Sequence, residues 1–275
     1  MDNKKNYTQN TGKFGVLSIV CVLSFGWHPA NAGAWVQKPG NGEVISSVSY
    51  HTGTIGFDDQ GRQTENIQFS KLESSIYAEY GLVKNWSVIT RLAVQQVTLI
   101  RGNNVDEGVG YAASQLMLKR NLGEVKSWVF AAQGGLSIPG STENGLDLRL
   151  GSGGAEWEVR ALAGRPLRIA GFDGFVDAQF ARRFRANEVP NEWHVDATLG
   201  VYPTKQILLT AQVFAVRGDV AQVDGTRTLS STKLQGAAVW FYNQRNGIQI
   251  FVVKPIAGRN IIVDTAIGIG WWWKF

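Results

Sequence analysis

Residues able to do chemistry recur in this chain at every second position, a spacing that sets them side by side on one face of an extended strand. Glu156, Glu158 and Arg160 form one such run, and Glu192, His194 and Asp196 form another. Two carboxylates at that spacing could divide acid and base work. With an arginine on the same face, salt bridges are the simpler outcome. A serine nucleophile would need a nearby general base, and beyond the N-terminal segment the histidines are His51 and His194. His194 lies between two carboxylates and lacks a histidine-x-serine spacing, and His51 falls at the mouth of the first expected strand. The sequence therefore assigns no catalytic residue, and a non-enzyme is expected.

Metal and cofactor chemistry finds equally little support. Cys21 is the sole cysteine and lies in an N-terminal apolar run, so neither a disulfide nor a sulfur ligand is expected downstream. No glycine-rich phosphate loop, EF-hand loop or zinc-ligand cluster occurs, and neither a cofactor nor a metal is expected.

The first 32 residues read as an export signal: Lys4, Lys5 and Lys13 precede an apolar stretch from Phe14 to Phe25, and Ala30-Asn31-Ala32 supplies small residues for cleavage before Gly33. The stretch is too short to cross a bilayer as a helix, which takes about 20 residues. Of the 27 basic and 22 acidic residues, this segment holds three lysines and one aspartate, leaving 24 and 21, a net charge of +3. Single scattered charges in a near-neutral chain give no reason to expect a nucleic-acid partner.

The elements that must carry the alternating residues are strands. Twelve are expected, at 43–51, 67–80, 86–99, 110–120, 126–138, 153–162, 174–185, 191–202, 206–216, 232–242, 247–254 and 260–275. Ile267, Ile269, Trp271, Trp273 and Phe275 share one face of the last, and small or polar residues the other. Compact turns at Gly81 to Asn85, Asn121 to Val125, Pro203 to Lys205 and Asn243 to Asn246 alternate with long polar stretches. Those stretches are Thr52 to Asn66, Pro139 to Ser152 and Gly218 to Ser231. Short turns on one side and long loops on the other suit a transmembrane antiparallel up-and-down β-barrel. Tyr80, Trp86, Trp128, Trp193, Trp240 and Trp271 near strand ends suit aromatic girdles at the bilayer interfaces. The expected domain is one all-β barrel over residues 33–275.

With the apolar face outward, Glu73, Arg91, Glu156, Glu158, Arg160, Asp177, Arg183, Glu192 and Asp196 are expected to line the lumen. Lys71, Glu79, Lys119, Arg185, Lys233, Asp264 and Lys274 belong to the same face. Buried charges of both signs should pair across neighbouring strands. Twelve strands lie between barrels filled by side chains and those with a wide channel. At a lipid-facing site Val159→Arg is expected to cost about 2 to 4 kcal/mol, and Glu158→Gln little.

Trp271, Trp273 and Phe275, with Ile267 and Ile269, match a terminal pattern that resembles the assembly signal of bacterial outer-membrane proteins. Gly33-Ala34-Trp35-Val36-Gln37-Lys38-Pro39-Gly40, and Tyr80-Gly81-Leu82 running into Asn85-Trp86-Ser87-Val88, are similar to the outer-membrane transporters associated with phenol degradation (the MetA-pathway family). That resemblance implies a channel or porin-like protein for passive movement of small molecules in the outer membrane of a Gram-negative bacterium. The partners it implies are membrane lipid, the barrel-assembly machinery and a small-molecule solute. A structural or adhesive barrel without an open pore, and an outer-membrane hydrolase, are the alternatives.

Overall fold

In the computed structural model, residues 33–64, 67–112, 114–138, 154–186, 190–220 and 228–275 are described. The export signal, its cleavage triplet, Cys21 and the whole Pro139 to Ser152 loop lie outside them. Strands run as β1 (Gly42–Phe57), β2 (Gln63–Thr64), β3 (Ile67–Val83), β4 (Trp86–Arg101), β5 (Asn104–Tyr111), β6 (Ser114–Val125) and β7 (Trp128–Ile138). The second half comprises β8 (Glu156–Ile169), β9 (Phe172–Phe184), β10 (Glu192–Thr204), β11 (Ile207–Gly218), β12 (Ser230–Phe241), β13 (Asn246–Arg259) and β14 (Ile261–Lys274).

Twelve of these close a barrel of sequential antiparallel neighbours, and β14 returns to pair with β1 from Glu43↔Lys274 to Phe57↔Ile261. The seam is completed by Phe275, whose backbone exchanges hydrogen bonds of 3.0 and 2.9 Å with Gly42. The stub β2 pairs only with the tip of β1, and β5 continues the wall above β6 by pairing the outer half of β4. Closure leaves none of the twelve barrel strands at the edge of the sheet, as a bilayer without hydrogen-bonding solvent demands.

Several boundaries differ from the sequence expectation. Thr52 to Phe57 extends β1, because an irregularity between Thr52 and Ile55 lets a Gly- and Thr-rich stretch keep pairing with β14. Asn104 to Val109 is strand and not loop, folded back on a β4 that reaches Arg101. β8 and β9 fill the expected gap at 163–173 and meet at Ala170 (φ 49°) and Gly171 (φ 87°), a turn whose two left-handed residues match the twist of paired strands. The expected turn Asn121 to Val125 is instead the end of β6, still paired with β7, and Lys126 (φ 48°) and Ser127 (φ 67°) make the turn in the same way, inside the strand expected at 126–138.

Apolar side chains cover the outer face, with Ile267 65% and Ile250 63% exposed, as suits contact with lipid and not water. Tyr80, Trp240, Trp271, Trp273 and Phe275 ring the short-turn end, and Trp157, Phe184 and Trp193 mark the long-loop end. Arg182, on this outer face, lies over the Trp193 ring at 4.5 Å and pairs with Asp219, whose carboxyl those hydrogen bonds hold below its ordinary pKa. Val159 is registered opposite Arg182, so it sits at the polar interface and not at mid-membrane. Ile250, flanked by Ala238 and Ile269, occupies the deeper position.

Candidate functional site

Alternation sends every second residue inward, and the register decides which charges meet. On β8 to β10, Glu158 is registered with Arg183, and Arg183 with Glu192. Arg183 Nη2 donates to Glu158 at 2.7 Å and Arg160 Nε donates to the other Glu158 oxygen at 2.9 Å. Arg160 continues to Asp196 and, at 2.8 Å, to the Gln179 amide oxygen. Arg185 bridges Glu156 at 2.9 Å and Glu192 at 2.7 Å, and His194 bonds Glu192 at 3.1 Å. Three arginines and four carboxylates thus interlock on one wall. Such a network is stable only because each buried charge has partners.

The wall of β1, β3, β4 and β14 is looser. Lys71 pairs with Glu73 at 2.9 Å, while Arg91 approaches Glu73 only to 3.7 Å and keeps 52% of its side chain exposed. An inward arginine that exposed leaves the lumen beside β4 open to water. His51 is inside β1 and not at its mouth. Its Nδ1 lies 2.6 Å from Asp264 and its Nε2 lies 3.1 Å from Ser49 Oγ, an order of contacts that a Ser–His–Asp hydrolase also has. Around Ser49, however, the strands pair on both sides, with Gly268 and with Glu73, so backbone amides there belong to the ladder.

Across the lumen, β11 to β13 carry mainly neutral inward groups beside Lys233, which lies 3.7 Å from Asp264, and Gln235 donates to Gln212 at 2.7 Å, which donates to Thr198 at 3.1 Å. Towards the short-turn end the inward face becomes apolar, with Phe175, Leu208, Val239, Phe241 and Trp272 clustered. A vestibule of about 920 Å³ opens there, bordered by Trp35, Phe175, Tyr202 and Phe241, with Lys274 at its edge.

Trp35 belongs to no strand. Residues 33–41 enter the barrel from the short-turn end and cross its interior before Gly42 begins β1. Ala34 is fully buried against Val129, Ala131 and Leu162, and Trp35 packs on the same group and edge-on to Phe175 at 6.0 Å. Ala34 N donates to Asp177 at 2.9 Å, Lys119 Nζ donates to the Gly33 carbonyl at 2.9 Å, and Gln37 N donates to Ser87 Oγ at 2.9 Å. Nearer the rim, Gly40 and Asn41 exchange backbone bonds with Gly81 at 3.0 and 2.9 Å. Lys119 is itself anchored to Glu79 at 2.8 Å, and Tyr77 donates to the same carboxylate at 3.0 Å.

All nine residues expected inside the barrel project inward. Seven meet in the network of β8 to β10, counting Asp177 through Gln179, which donates to it at 2.7 Å. Glu73 and Arg91 stand apart on the other wall. Sequence reasoning missed the Ser49–His51–Asp264 chain and left open whether the segment 33–41 or a loop enters the lumen. The signal available for the first was Ser49-x-His51 on one face; for the second, only an apolar Ala34-Trp35 pair ahead of the first strand. Among the described residues no cluster suited to a metal ion occurs.

A closed antiparallel barrel with an apolar outer belt, aromatic rims and an ionic interior is an outer-membrane β-barrel, and the bacterial outer membrane is where this chain resides. No family model and no curated protein matches the sequence. The fold is similar to that of an outer-membrane channel from Pseudomonas putida F1, with a TM-score of 0.66 at 13% identity over 90% of this chain and 99% of that one. The translocator domain of the autotransporter NalP from Neisseria meningitidis is also similar, with a TM-score of 0.51 at 10% identity over 86% of this chain and 88% of that domain. Both likenesses lie in the fold.

Proposed function

We propose that this protein is a channel for passive movement of small polar or amphipathic molecules across the outer membrane, held closed at rest by residues 33–41. The observation that carries this reading is the kind of bonding inside the barrel. The segment in the lumen is held by a few hydrogen bonds and by packing, whereas the strands around it form an unbroken closed wall. It can therefore leave without the wall unfolding. The exposed guanidinium of Arg91 and the polar β11 to β13 wall would line the path once the segment moves. The reading assigns no catalytic residue and no cofactor. Swelling of liposomes loaded with graded sugars tests it, with entry of the smallest sugars expected through protein lacking residues 33–41 and little entry through wild type. A folded, inserted deletion variant that passes no solute and carries no current at any voltage would point to a structural barrel instead.

On the same reading, the terminal aromatics serve assembly. Phe275 stacks on Tyr80 at 6.3 Å and packs tilted against Trp273 at 4.7 Å while its backbone closes the seam with Gly42. Deleting Phe275 should leave the chain unassembled and protease-sensitive, and normal outer-membrane levels would contradict this role.

One geometry favours a second reading, a hydrolase: the Ser49–His51–Asp264 chain. A fluorophosphonate probe that labels wild type but not Ser49→Ala would support it. Absence of labelling leaves His51 as a lumen hydrogen-bond partner.

A further inference from the structure

We infer that signal cleavage before Gly33 creates the counter-ion of Asp177, and that the new α-ammonium group locks the internal segment in place. The inference rests on the reading that residues 33–41 close the channel. Asp177 is 1% exposed and lies in the interior of the barrel. Among the described residues its partners are the Gln179 side-chain amide and the Ala34 N–H, both neutral, and it has no salt bridge. Lys119 and Arg160 act on it only at a distance, being committed to Glu79 and to Glu158 and Asp196. A buried carboxylate without a paired cation is costly, by several kcal/mol.

Gly33 stands against this carboxylate. A Cβ built on Gly33 would lie 1.9 Å from Asp177 Oδ2, and its backbone has φ +81°, so only glycine fits. The Gly33 nitrogen is one bond from that Cα, while the Gly33 carbonyl on its other side is taken by Lys119. As a peptide nitrogen it carries no charge. Once Ala32 is removed it becomes an ammonium with an ordinary pKa of about 8, positive at neutral pH. The site then holds two cations, the α-ammonium and Lys119, beside two carboxylates, Asp177 and Glu79. Capture of a chain's amino terminus is a known mode of recognition. Before cleavage, the same place would hold a neutral amide and an unpaired carboxylate. The lock would therefore form only in processed protein.

The test uses mature protein purified from outer membranes, and intact mass should place its first residue at Gly33. An amine-specific aldehyde reagent should modify the α-amine of the folded protein about tenfold more slowly than that of Asp177→Asn or of a variant with one alanine inserted before Gly33. The inserted residue keeps Asp177 and moves only the ammonium. Both variants should also raise the open fraction of single-channel current, as should deletion of 33–41. Equal labelling rates, or a first residue other than Gly33, would overturn the inference. If the deletion opens the channel but the two variants do not, the lock fails and the closing segment stands. If the deletion changes nothing, the closing role itself fails, and the labelling rates still decide whether the ammonium is paired.

Discussion

The ionic wall of β8 to β10 and the segment crossing the short-turn end are both interior, yet they are held in different ways. On the wall, Glu158 alone receives three charged hydrogen bonds, from Arg160 and twice from Arg183, and each partner is shared onward. The segment depends on single bonds spread over Asp177, Lys119, Ser87 and Gly81, with Trp35 wedged among apolar side chains. A network of shared charges resists the removal of any member, whereas a set of separate contacts can be released stepwise. The wall is thus built to stay and the segment to move.

The sharpest break of this contrast is Glu158→Gln. Its side chain is 3% exposed, and losing its charge leaves Arg160 and Arg183 undercompensated, a cost of about 3 to 5 kcal/mol for a buried pair. That revises the mild effect expected from sequence. Unfolding in lipid should show the loss while resting current stays unchanged. A loss under about 1 kcal/mol would mean that water reaches the wall and screens it.

Next in size is Gly164→Val. A Cβ at Gly164 would stand 2.7 Å from the Trp35 ring and 3.2 Å from Ala34, so a larger side chain should expel the segment and raise current several-fold. Unchanged current would show that the segment yields without leaving. Trp35→Ala removes packing without adding a clash, and a smaller rise is expected.

The smallest effects concern selectivity. Arg160→Gln should shift the anion-to-cation preference of single-channel current. Asp58→Asn should shift it little, because this partly exposed carboxylate, whose pKa the Arg62 backbone N–H lowers, sits on a loop. Equal shifts would move the selective region from lumen to loops.

Much of this was legible in the sequence, for a physical reason. Period-two alternation fixes the face of each strand residue, so Glu156, Glu158, Arg160, Arg183 and Asp196 could be placed inside from their spacing. Which charges pair is set by the stagger between strands, which spacing within a strand does not encode. That is why the Ser49–His51–Asp264 chain, spanning 213 residues between His51 and Asp264, was out of reach. The segment Gly33 to Asn41 has no periodicity because it belongs to no ladder. Its place is dictated by a cavity that exists only after twelve strands have closed.

Single-channel current from mature wild type, the deletion of 33–41 and Glu158→Gln in the same planar membrane bears most directly on the division between fixed wall and movable segment. The deletion should conduct persistently, while wild type and Glu158→Gln stay mostly closed. A folded and inserted deletion that conducts no more than wild type, or a Glu158→Gln channel as open as the deletion, would contradict the account.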